Sequence, residues 1–508
     1  MWFFQGLEKV GPPVSKDWKT LMKIVFVASE INPFASTGGL ADVTGSLPRA
    51  LGREPGVEIC RIMPLYHQVA ERGFQPRDTG VRIEVPVGFR TYPAEIWVSD
   101  TPAPRTYFIR RDEFFDRTYL YGTPEKDYDD NFERFVFFQK AAVALLDALE
   151  IKADIVHCND WQTGLLPLFL RHGIRGTGRA GHERTVFTIH NLAFQGLFPG
   201  SAYGITNLPF LYFHLDGLEF YGKVNCMKAG ITSADCVTTV SRTYAREIQT
   251  EPVGCGLHGL LAKLDGKLVG LQNGVDFEEW NPSTDAQIAA EFDARNPGGK
   301  QACRESLARL MGLALKPGRP ILGMITRLTD QKGLGLMAEA MPEIMQRDVA
   351  FVVLGLGQQN YHDACREWGR QWPDRFAVKL DFDQPMARRI IAGSDLMFMP
   401  SQFEPSGLNQ LYAMRYGAIP LVHDVGGLAD TVEQVSADGS TGTGFKFTGF
   451  KPDALLTSLD QSLAMFQRPA DWRKLMTRAM EKDFSWNRTA HEYISVYQEL
   501  LSRNQPKH

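Results

Sequence analysis

The sequence lacks the marks of a disulfide-rich, membrane-spanning or polyanion-binding protein. Its seven cysteines are odd in number and include no Cys-x-x-Cys pair, which argues against a disulfide framework and a structural zinc site. Apolar runs such as Ile24–Ala28 and Ala350–Leu354 are far shorter than the ~20 residues of a membrane span. With 55 Lys and Arg against 59 Asp and Glu, the net charge is −4, so no overall positive field favours nucleic acid. We therefore expect a cytoplasmic protein with no membrane and no nucleic-acid partner.

The remaining composition is that of an ordinary folded protein with several domains. Apolar residues make up 44% and charged residues 22% of the chain. At roughly 150 residues per domain, 508 residues predict about two to four domains. Residues 1–22 precede the first strand-like segment and contain neither a secretory signal nor a Ser/Arg-rich targeting pattern. We predict that they form an N-terminal extension.

Segments with strand and helix patterns alternate along the rest of the chain. Lys23–Ser29 is β-branched and apolar, as is typical of a buried parallel strand, and Gly39–Leu51 has helical spacing. In the first half, further strands are predicted at Ile155–His157, Thr185–His190 and Cys236–Val240, and further helices at Asp127–Leu149, Trp161–Arg171 and Ser241–Gln249. In the second half, strands are predicted at Pro320–Thr326, Ala350–Leu354, Phe376–Leu380, Leu396–Pro400 and Ile419–Val422, and helices at Gly333–Ile344, Gln359–Trp372, Pro385–Ala392 and Gly407–Tyr416.

This alternation predicts the fold class. Strands that alternate with helices form βαβ units, so we predict two doubly wound Rossmann-like α/β domains. Ligands bind at the carboxyl ends of the strands in such domains, and two of them are expected to face a deep interdomain cleft. We place the boundary within residues 265–300, where Asn296–Gly299 has the composition of a turn or linker.

Two loops at predicted strand–helix junctions suit a phosphorylated ligand. Ser36–Leu40 contains paired glycines, which let the backbone approach a ligand, before a helix N-terminus that favours an anion. A tight turn without a ligand is the alternative. In Arg327–Gly333, the side chains of Arg327 and Lys332 suit a diphosphate whose charge grows as a leaving group departs. The alternative there is a solvated loop with unrelated charges.

A third loop, Phe403–Gln410, carries Glu404 on a turn stiffened by Pro405. Ser406 and Gly407 are predicted to open the following helix, so that backbone N–H groups bind a phosphate while Glu404 binds sugar hydroxyls. The alternative for Glu404 is a carboxylate that only balances the helix dipole.

Polar side chains also follow two predicted strands of the first half. Asp160 comes after Ile155–His157, and His190 and Asn191 come after Thr185–Ile189. A lone histidine after a strand is more often structural, but several polar groups at one sheet edge favour a functional site. The sequence contains neither the His-Glu-x-x-His motif of zinc hydrolases nor a Gly-x-Ser-x-Gly motif with a supporting histidine.

These residues stand in longer segments that resemble the bacterial glycogen synthase and plant starch synthase family. The resemblance extends from about Lys23 to Tyr497. Its most specific segments are TGGLADVTGSLP (37–48), HCNDWQTGLLP (157–167), TIHNLAFQGLF (188–198), LQNGVDFEEWNP (271–282), RLTDQKG (327–333) and PSQFEPSGLNQLYAMRYG (400–417). Members of that family are retaining glucosyltransferases, so the resemblance implies the GT-B fold with two Rossmann-like domains.

The resemblance also implies a reaction. Glucose would pass from a nucleoside diphosphate glucose, expected to be ADP-glucose, to the non-reducing end of an α-1,4-glucan such as glycogen or a maltooligosaccharide. Configuration would be retained by a same-face attack in which the leaving phosphate takes the acceptor proton. Such a reaction requires no metal, no other cofactor and no protein nucleophile.

Roles for individual residues follow from the same resemblance. Arg327 and Lys332 would hold the diphosphate and stabilise the departing ADP, and Glu404 would hold the glucose hydroxyls. His190 would lie at the reacting sugar, with its backbone carbonyl near the anomeric carbon. Catalytic roles are thus implied for His190, Arg327, Lys332 and Glu404, and substrate binding for Ser36, Gly39, Asp160, Asn191, Asn273, Phe382, Ser406 and Gly407.

The implied domain organisation assigns one substrate to each half. Residues 23–270 would form the N-terminal Rossmann-like domain on the acceptor side, and residues 271–483 the C-terminal domain on the nucleotide-sugar side. Residues 484–508 would form a C-terminal helix that packs back on the N-terminal domain.

Four positions depart from the family's pattern. Ser36 stands where the first motif has a lysine, so one phosphate-facing cation, which contributes about 1.5–3 kcal/mol, is missing. Gln162 replaces a histidine of many members, Ser406 replaces a cysteine, and Phe382 replaces a tyrosine that stacks on adenine. The departures leave two alternatives to an ADP-glucose-dependent synthase: a related GT-B glycosyltransferase with another nucleotide-sugar donor, and a glucan-binding pseudoenzyme.

Overall fold

The computed structural model describes residues 21–123, 126–174, 183–264 and 266–503. Residues 1–20 of the predicted N-terminal extension lie outside this part of the chain, and Met22 already belongs to the first strand.

Within the described residues the chain divides into two units. The first unit combines the residues up to Val240 with Ala245–Gly274 and with the segment that begins at Trp486. The second unit combines Ser241–Tyr244 with Val275–Ser485.

A large, mostly parallel sheet organises the first unit. The strands described in this unit are β1 (Met22–Val27), β2 (Val57–Pro64), β3 (Arg77–Val87), β4 (Arg90–Ser99), β5 (Thr106–Arg110), β6 (Ile155–Asn159), β7 (Arg184–Ile189), β8 (Leu197–Pro199), β9 (Glu219–Phe220), β10 (Lys223–Asn225), β11 (Cys236–Thr239) and β12 (Leu268–Gly270). Nine of them form the order β12-β11-β7-β6-β1-β2-β5-β4-β3, in which only β3–β4 and β4–β5 pair antiparallel. A small antiparallel sheet has the order β8-β10-β9. Because β1, β6 and β7 are neighbours, the loops at their carboxyl ends lie side by side.

Helices connect these strands along the chain up to Gly274. They are α1 (Gly39–Leu51), α2 (His67–Glu71), α3 (Asp112–Phe115), α4 (Asn131–Ala148), α5 (Leu166–His172), α6 (Cys226–Ser233), α7 (Arg242–Glu247) and α8 (His258–Leu261). The helix α1 begins after Gly38, whose backbone is extended, and carries Asp42 in its first turn, where a carboxylate complements the helix dipole. Its buried face includes Val43, Leu47 and Leu51.

The second unit is built on a parallel sheet of six strands. Its strands are β13 (Ile321–Ile325), β14 (Ala350–Leu354), β15 (Phe376–Lys379), β16 (Leu396–Met399), β17 (Ile419–His423) and β18 (Phe445–Phe447). They follow the order β15-β14-β13-β16-β17-β18. Its helices are α9 (Gly298–Met311), α10 (Leu334–Ile344), α11 (Gln359–Gln371), α12 (Gln384–Gly393), α13 (Asn409–Arg415), α14 (Gly426–Thr431), α15 (Pro452–Phe466) and α16 (Pro469–Glu481). The strand order reverses at β13 and β16, which creates a topological switch point between them.

The last helix, α17 (Trp486–Ser502), belongs to the first unit and packs against α1. Tyr493 and Tyr497 are fully buried in a core that they share with Leu47 and Leu51. The Tyr497 hydroxyl lies 2.7 Å from Nδ1 of the buried His157 on β6. No helix of the described segments, this one included, is long and apolar enough to cross a membrane.

The predicted pair of Rossmann-like α/β domains is confirmed, with four local differences. The single helix predicted at Trp161–Arg171 is a short 3-10 turn, Trp161–Thr163, followed by α5. Gly164, between them, packs so tightly that a Cβ would lie 1.9 Å from the Cys226 carbonyl oxygen. The helix predicted from Gly407 begins only at Asn409. Of the predicted turn or linker at Asn296–Gly299, Pro297 lies in a turn, but α9 begins at Gly298 and the units divide earlier, at Gly274 and Val275. The antiparallel strands β3–β5 were not predicted.

Candidate active site

Two loops of the second unit lie against each other at the switch point between β13 and β16. The Gln402 backbone N–H donates to the Gln331 carbonyl oxygen at 2.8 Å. Gly333 has a φ of +78°, and a Cβ at this position would lie 2.0 Å from the Pro400 carbonyl oxygen. Glycine is therefore required for this approach of the two loops.

Lys332 and Glu404, one from each loop, form an ion pair. The Lys332 Nζ lies 2.5 Å from Oε2 of Glu404, and the two side chains are only 19% and 11% exposed. The Ser401 hydroxyl donates to the same Oε2 at 2.9 Å. The structure thus brings together two of the predicted catalytic residues. The idea that Glu404 only balances a helix dipole is wrong, because α13 begins only at Asn409.

Ser406 and Gly407 lie in the loop before α13 and do not open the helix, which corrects the prediction. Gly407 has a φ of +68°. The Gln410 side-chain amide donates to the carbonyl oxygens of Ser406 and Gly407, each at 3.0 Å. A Cβ on Gly427 would lie 2.1 Å from the Ser406 carbonyl oxygen, so this neighbour also fixes the loop. The loop backbone, and not a helix dipole, is the feature available to an anion here.

Arg327 and Phe382 are exposed in the loops that follow β13 and β15. The Phe382 side chain is 82% exposed, which leaves a ring face open to a ligand. Asp381 and Asp383 flank it in an Asp-x-Asp pattern after β15, where the sequence was expected to hold none. Asp383 pairs with Lys379 and caps α12, and Asp381 accepts the Phe382 backbone N–H at 2.7 Å. In the part of the chain that the structure describes, no cluster of three or more His, Cys, Asp or Glu could hold a metal ion.

In the first unit, Asp160 and His190 come together at the ends of β6 and β7. Asp160 Oδ1 accepts the His190 backbone N–H at 2.7 Å, and the carboxylate also accepts the backbone N–H of Asn191. His190 Nε2 lies 2.9 Å from Oδ1 of Asn159. Asp160 has a φ of 56°, which is uncommon for a residue other than glycine and is found at strained functional sites. Three of the predicted site residues therefore form one cluster.

Burial sets the protonation of this cluster. Burial raises the pKa of Asp160 to about 7, although the backbone N–H groups of His190 and Asn191 favour its charged form. Burial lowers the pKa of His190 to about 3, so its imidazole is neutral at physiological pH. A neutral imidazole has one donor nitrogen, and the Asn159 oxygen facing Nε2 assigns the proton to Nε2. The cluster can therefore bind hydroxyl groups without placing a full positive charge beside them.

The loop after β1 is bound to a buried carboxylate that was not anticipated. The Glu30 carboxylate accepts three hydrogen bonds: from the Thr37 backbone N–H at 2.5 Å, from the Thr37 hydroxyl at 2.8 Å and from the Tyr121 hydroxyl at 2.6 Å. Gly39 is the first residue of α1, and a Cβ on Gly38 would meet no atom within 4 Å. Glu30 is a polar residue just beyond a predicted strand, the same signal that identified Asp160.

Ser36, in the same loop, contacts the segment that follows β2. Arg72 Nη2 donates to the Ser36 hydroxyl at 2.8 Å, and Nη1 donates to the Pro33 carbonyl oxygen at 3.1 Å. The Ser36 backbone N–H donates to Oε1 of Gln68 at 3.3 Å. No sequence pattern identifies Arg72, because it lies 36 residues from Ser36 along the chain.

Asn273 and Gln162 are buried in the first unit, and a side-chain oxygen of each has no hydrogen-bond partner among the described residues. A buried polar atom left in this way costs about 1–3 kcal/mol, which marks both atoms as acceptors for a ligand or a water. Asn273 follows β12, which β11 separates from β7. Within the described segments, Asn273 Oδ1 accepts no hydrogen bond from the Asp160 cluster.

Comparison with known proteins agrees with the fold. Residues 23–263 match the family described as the starch synthase catalytic domain, and residues 312–476 match glycosyl transferases group 1. Glycogen synthase 2 of Geobacter sulfurreducens is 42% identical over 94% of this chain and 98% of its own length. A glycogen synthase of Anaeromyxobacter dehalogenans is 44% identical over 94% of this chain and 99% of its own.

Solved structures show the same similarity. The catalytic domain of starch synthase IV from Arabidopsis thaliana, bound to ADP and acarbose, aligns with a TM-score of 0.87 and 32% identity over 95% of this chain and 100% of that domain. Sucrose-phosphate synthase from Thermosynechococcus elongatus shares the fold, with a TM-score of 0.60 and 18% identity over 95% of this chain and 99% of that one. This chain belongs to the glycogen synthase family and is a glycosyltransferase of the GT-B fold.

Proposed function

We propose that the chain is an ADP-glucose-dependent glycogen synthase, which adds glucose to the non-reducing end of an α-1,4-glucan with retention of configuration. The ion pair between Lys332 and Glu404 carries this proposal, because it holds a cation and a carboxylate 2.5 Å apart at the switch point. A nucleoside diphosphate glucose calls for both groups, the cation for its diphosphate and the carboxylate for its sugar hydroxyls. The ADP and acarbose bound to starch synthase IV support the same two ligand classes.

In the second unit, the proposed roles follow from charge and exposure. Lys332 and Arg327 bind the diphosphate, and their attraction for it grows as the glucose–phosphate bond breaks and negative charge collects on ADP. The backbone of the Gly407 loop binds a phosphate oxygen. The exposed ring of Phe382 stacks on the nucleotide base.

In the first unit, the cluster of Asp160, His190 and Asn191 binds the sugar that is transferred. The bond between the anomeric carbon and the ADP oxygen breaks while the acceptor hydroxyl forms the new bond on the same face of the ring. The acceptor proton passes to the departing phosphate oxygen, so the step requires no protein base and no covalent intermediate. The neutral imidazole of His190 suits this site because it places no cation where it would repel the positive charge that develops on the sugar.

We further propose that catalysis proceeds without a metal ion, because Arg327 and Lys332 supply the positive charge that a metal would place on the diphosphate. The cytoplasmic location stays a prediction from the cysteine content.

Two sequence departures favour a second candidate, a GT-B glycosyltransferase with another nucleotide-sugar donor. Ser36 lacks the charge of the family's lysine, and Phe382 lacks the hydroxyl of the family's tyrosine. A glucan-binding pseudoenzyme is supported less well, because the Lys332–Glu404 pair is intact.

A donor screen tests these candidates. The purified chain is incubated with glycogen and either ADP-glucose or UDP-glucose, and release of each nucleotide is measured together with glucose incorporation. We expect ADP release that matches glucan elongation, with Lys332→Ala as the impaired control. Higher kcat/KM with UDP-glucose would favour the second candidate. No transfer with any donor, while glycogen still binds, would favour the pseudoenzyme.

A further inference from the structure

Arg72, which ends α2, contacts the loop in which Ser36 stands in place of the family's lysine. Its guanidinium donates once to the Ser36 hydroxyl and once to the Pro33 carbonyl oxygen, at 2.8 and 3.1 Å. A guanidinium has five N–H donors, so three remain for another ligand. The residue is exposed, and it forms no ion pair with a carboxylate of the described residues. Its neighbour Glu71 lies instead 3.5 Å from Nε2 of His67.

The surroundings of Ser36 hold the loop in place for this contact. Gln68, from the helix that Arg72 terminates, accepts the Ser36 backbone N–H at 3.3 Å. Thr37 is anchored on the buried Glu30 carboxylate by two hydrogen bonds. The loop lies at the carboxyl end of β1, the edge at which open α/β sheets bind their ligands. The guanidinium is therefore fixed at that edge and is not a freely moving surface charge.

We propose that Arg72 is a donor-binding residue, which supplies across Ser36 the positive charge that binds a phosphate of the nucleotide sugar. The inference rests on the proposed function, since it assigns a contact to that donor. The small hydroxyl of Ser36 leaves space for the guanidinium and orients it. Arginine presents paired N–H groups that match two phosphate oxygens, which a lysine does not.

Lys228 does not supply this charge, because its Nζ donates to the carbonyl oxygens of Leu215 and Glu219 and is fixed there. The competing interpretation of Arg72 is a structural one, in which the guanidinium only braces Ser36 and Pro33 and never meets the donor.

Three variants of the full-length chain separate these interpretations: Arg72→Gln, Ser36→Lys and the combination of both. Binding of ADP and of adenosine is measured by calorimetry, together with the KM for ADP-glucose. A charged hydrogen bond to phosphate predicts about 10- to 100-fold weaker ADP binding in Arg72→Gln. Adenosine binding is expected to stay within about twofold of that of the wild type. Arg82→Gln is the matched control, because Arg82 is an exposed arginine of the same unit that pairs with Asp78 instead.

The combined variant gives the decisive result. If the role of Arg72 is its charge, the new lysine restores most of the ADP affinity that Arg72→Gln loses. Ser36→Lys alone brings little gain, because two cations then compete for one phosphate. If Arg72 only braces the loop, Arg72→Gln lowers the melting temperature and weakens adenosine and ADP equally, and the lysine restores neither; that result overturns the inference.

The failure of the inference and that of the proposed function are distinguishable. An active wild-type enzyme in which Arg72→Gln keeps its ADP affinity overturns only the role of Arg72. A wild-type chain that neither transfers glucose nor binds ADP overturns the proposed function and the role of Arg72 with it.

Discussion

Replacing Lys332 by alanine separates the chemical role of this residue from its structural one. The variant leaves the Glu404 carboxylate, only 11% exposed, with the Ser401 hydroxyl as its remaining partner on Oε2. Breaking a fully buried ion pair from one side costs about 3–5 kcal/mol, and a charged hydrogen bond contributes about 1.5–3 kcal/mol. Because the Lys332 side chain is 19% exposed, we expect a loss of about 2–3 kcal/mol in the free energy of unfolding.

The fall in turnover is expected to be too large to be explained by the loss of folded enzyme. For a unit of this size, about 2–3 kcal/mol lowers the melting temperature by about 4–12 °C, which leaves the enzyme folded at 25 °C. Removing one group that stabilises a developing charge lowers turnover about 10²- to 10³-fold. Steady-state kinetics at saturating ADP-glucose, with thermal unfolding followed in parallel, measures both effects.

A second variant tests whether the lost stability comes from the unpaired Glu404 carboxylate. Combining Lys332→Ala with Glu404→Gln removes the unpaired buried carboxylate, so most of the lost stability is expected to return. Turnover is expected to remain low, because the cation at the diphosphate is still absent and the carboxylate proposed for the sugar hydroxyls is now absent too. Near-normal turnover of Lys332→Ala at saturating donor would refute the phosphate role. An unchanged melting temperature would show that the ion pair contributes no stability.

Four further results are expected. Activity should persist in EDTA, and complete loss that Mg²⁺ or Mn²⁺ restores would point instead to a metal-assisted reaction. Asp160→Asn should reduce the pH dependence of stability. Because burial raises the pKa of Asp160 in the folded state to about 7, the folded wild type keeps a proton that the unfolded chain has lost, and its stability falls as pH rises from about 4 to 7. Denaturant titrations of both proteins at pH 4 and pH 7 would show this. Gly333→Ala should destabilise the enzyme by at least about 1–2 kcal/mol and lower activity, because its φ is +78° and Pro400 leaves no space. Its control, Gly335→Ala, meets only one atom at 3.5 Å and should be neutral or slightly stabilising. Phe382→Ala should raise the KM for ADP-glucose while leaving the melting temperature nearly unchanged, since the ring is 82% exposed; an unchanged KM would remove this residue from the nucleotide site.

Much of the fold could be predicted because its signals are local. The strand at Ala350–Leu354 and the helix at Gly39–Leu51 have the predicted bounds, since a fully buried apolar run and an amphipathic repeat each depend on neighbouring residues alone. The antiparallel strands β3–β5 were not predicted, although β3 and β4 carry the alternation of polar and apolar residues that is typical of a half-buried strand. Between the 3-10 turn and α5, Gly164 packs closely on the carbonyl oxygen of Cys226, a contact that no local pattern contains.

The candidate site, like the fold, could be predicted only in part from the sequence. Local sequence patterns were enough to predict which loops follow parallel strands, and therefore that Asp160, His190 and Glu404 lie at a ligand-binding edge. Which side chains meet depends on the order of the strands in the folded sheets. Lys332 and Glu404 are 72 residues apart, and their contact depends on the strand order that makes β13 and β16 neighbours.

The departure at Ser36 shows the limit most clearly. From the sequence, this position is a lost positive charge. In the folded chain it is a contact with Arg72, because the pairing of β1 with β2 brings the loops after both strands together. A residue type and its local pattern are fixed by the sequence, whereas the neighbours that determine its charge environment are fixed by the order of strands in the sheet.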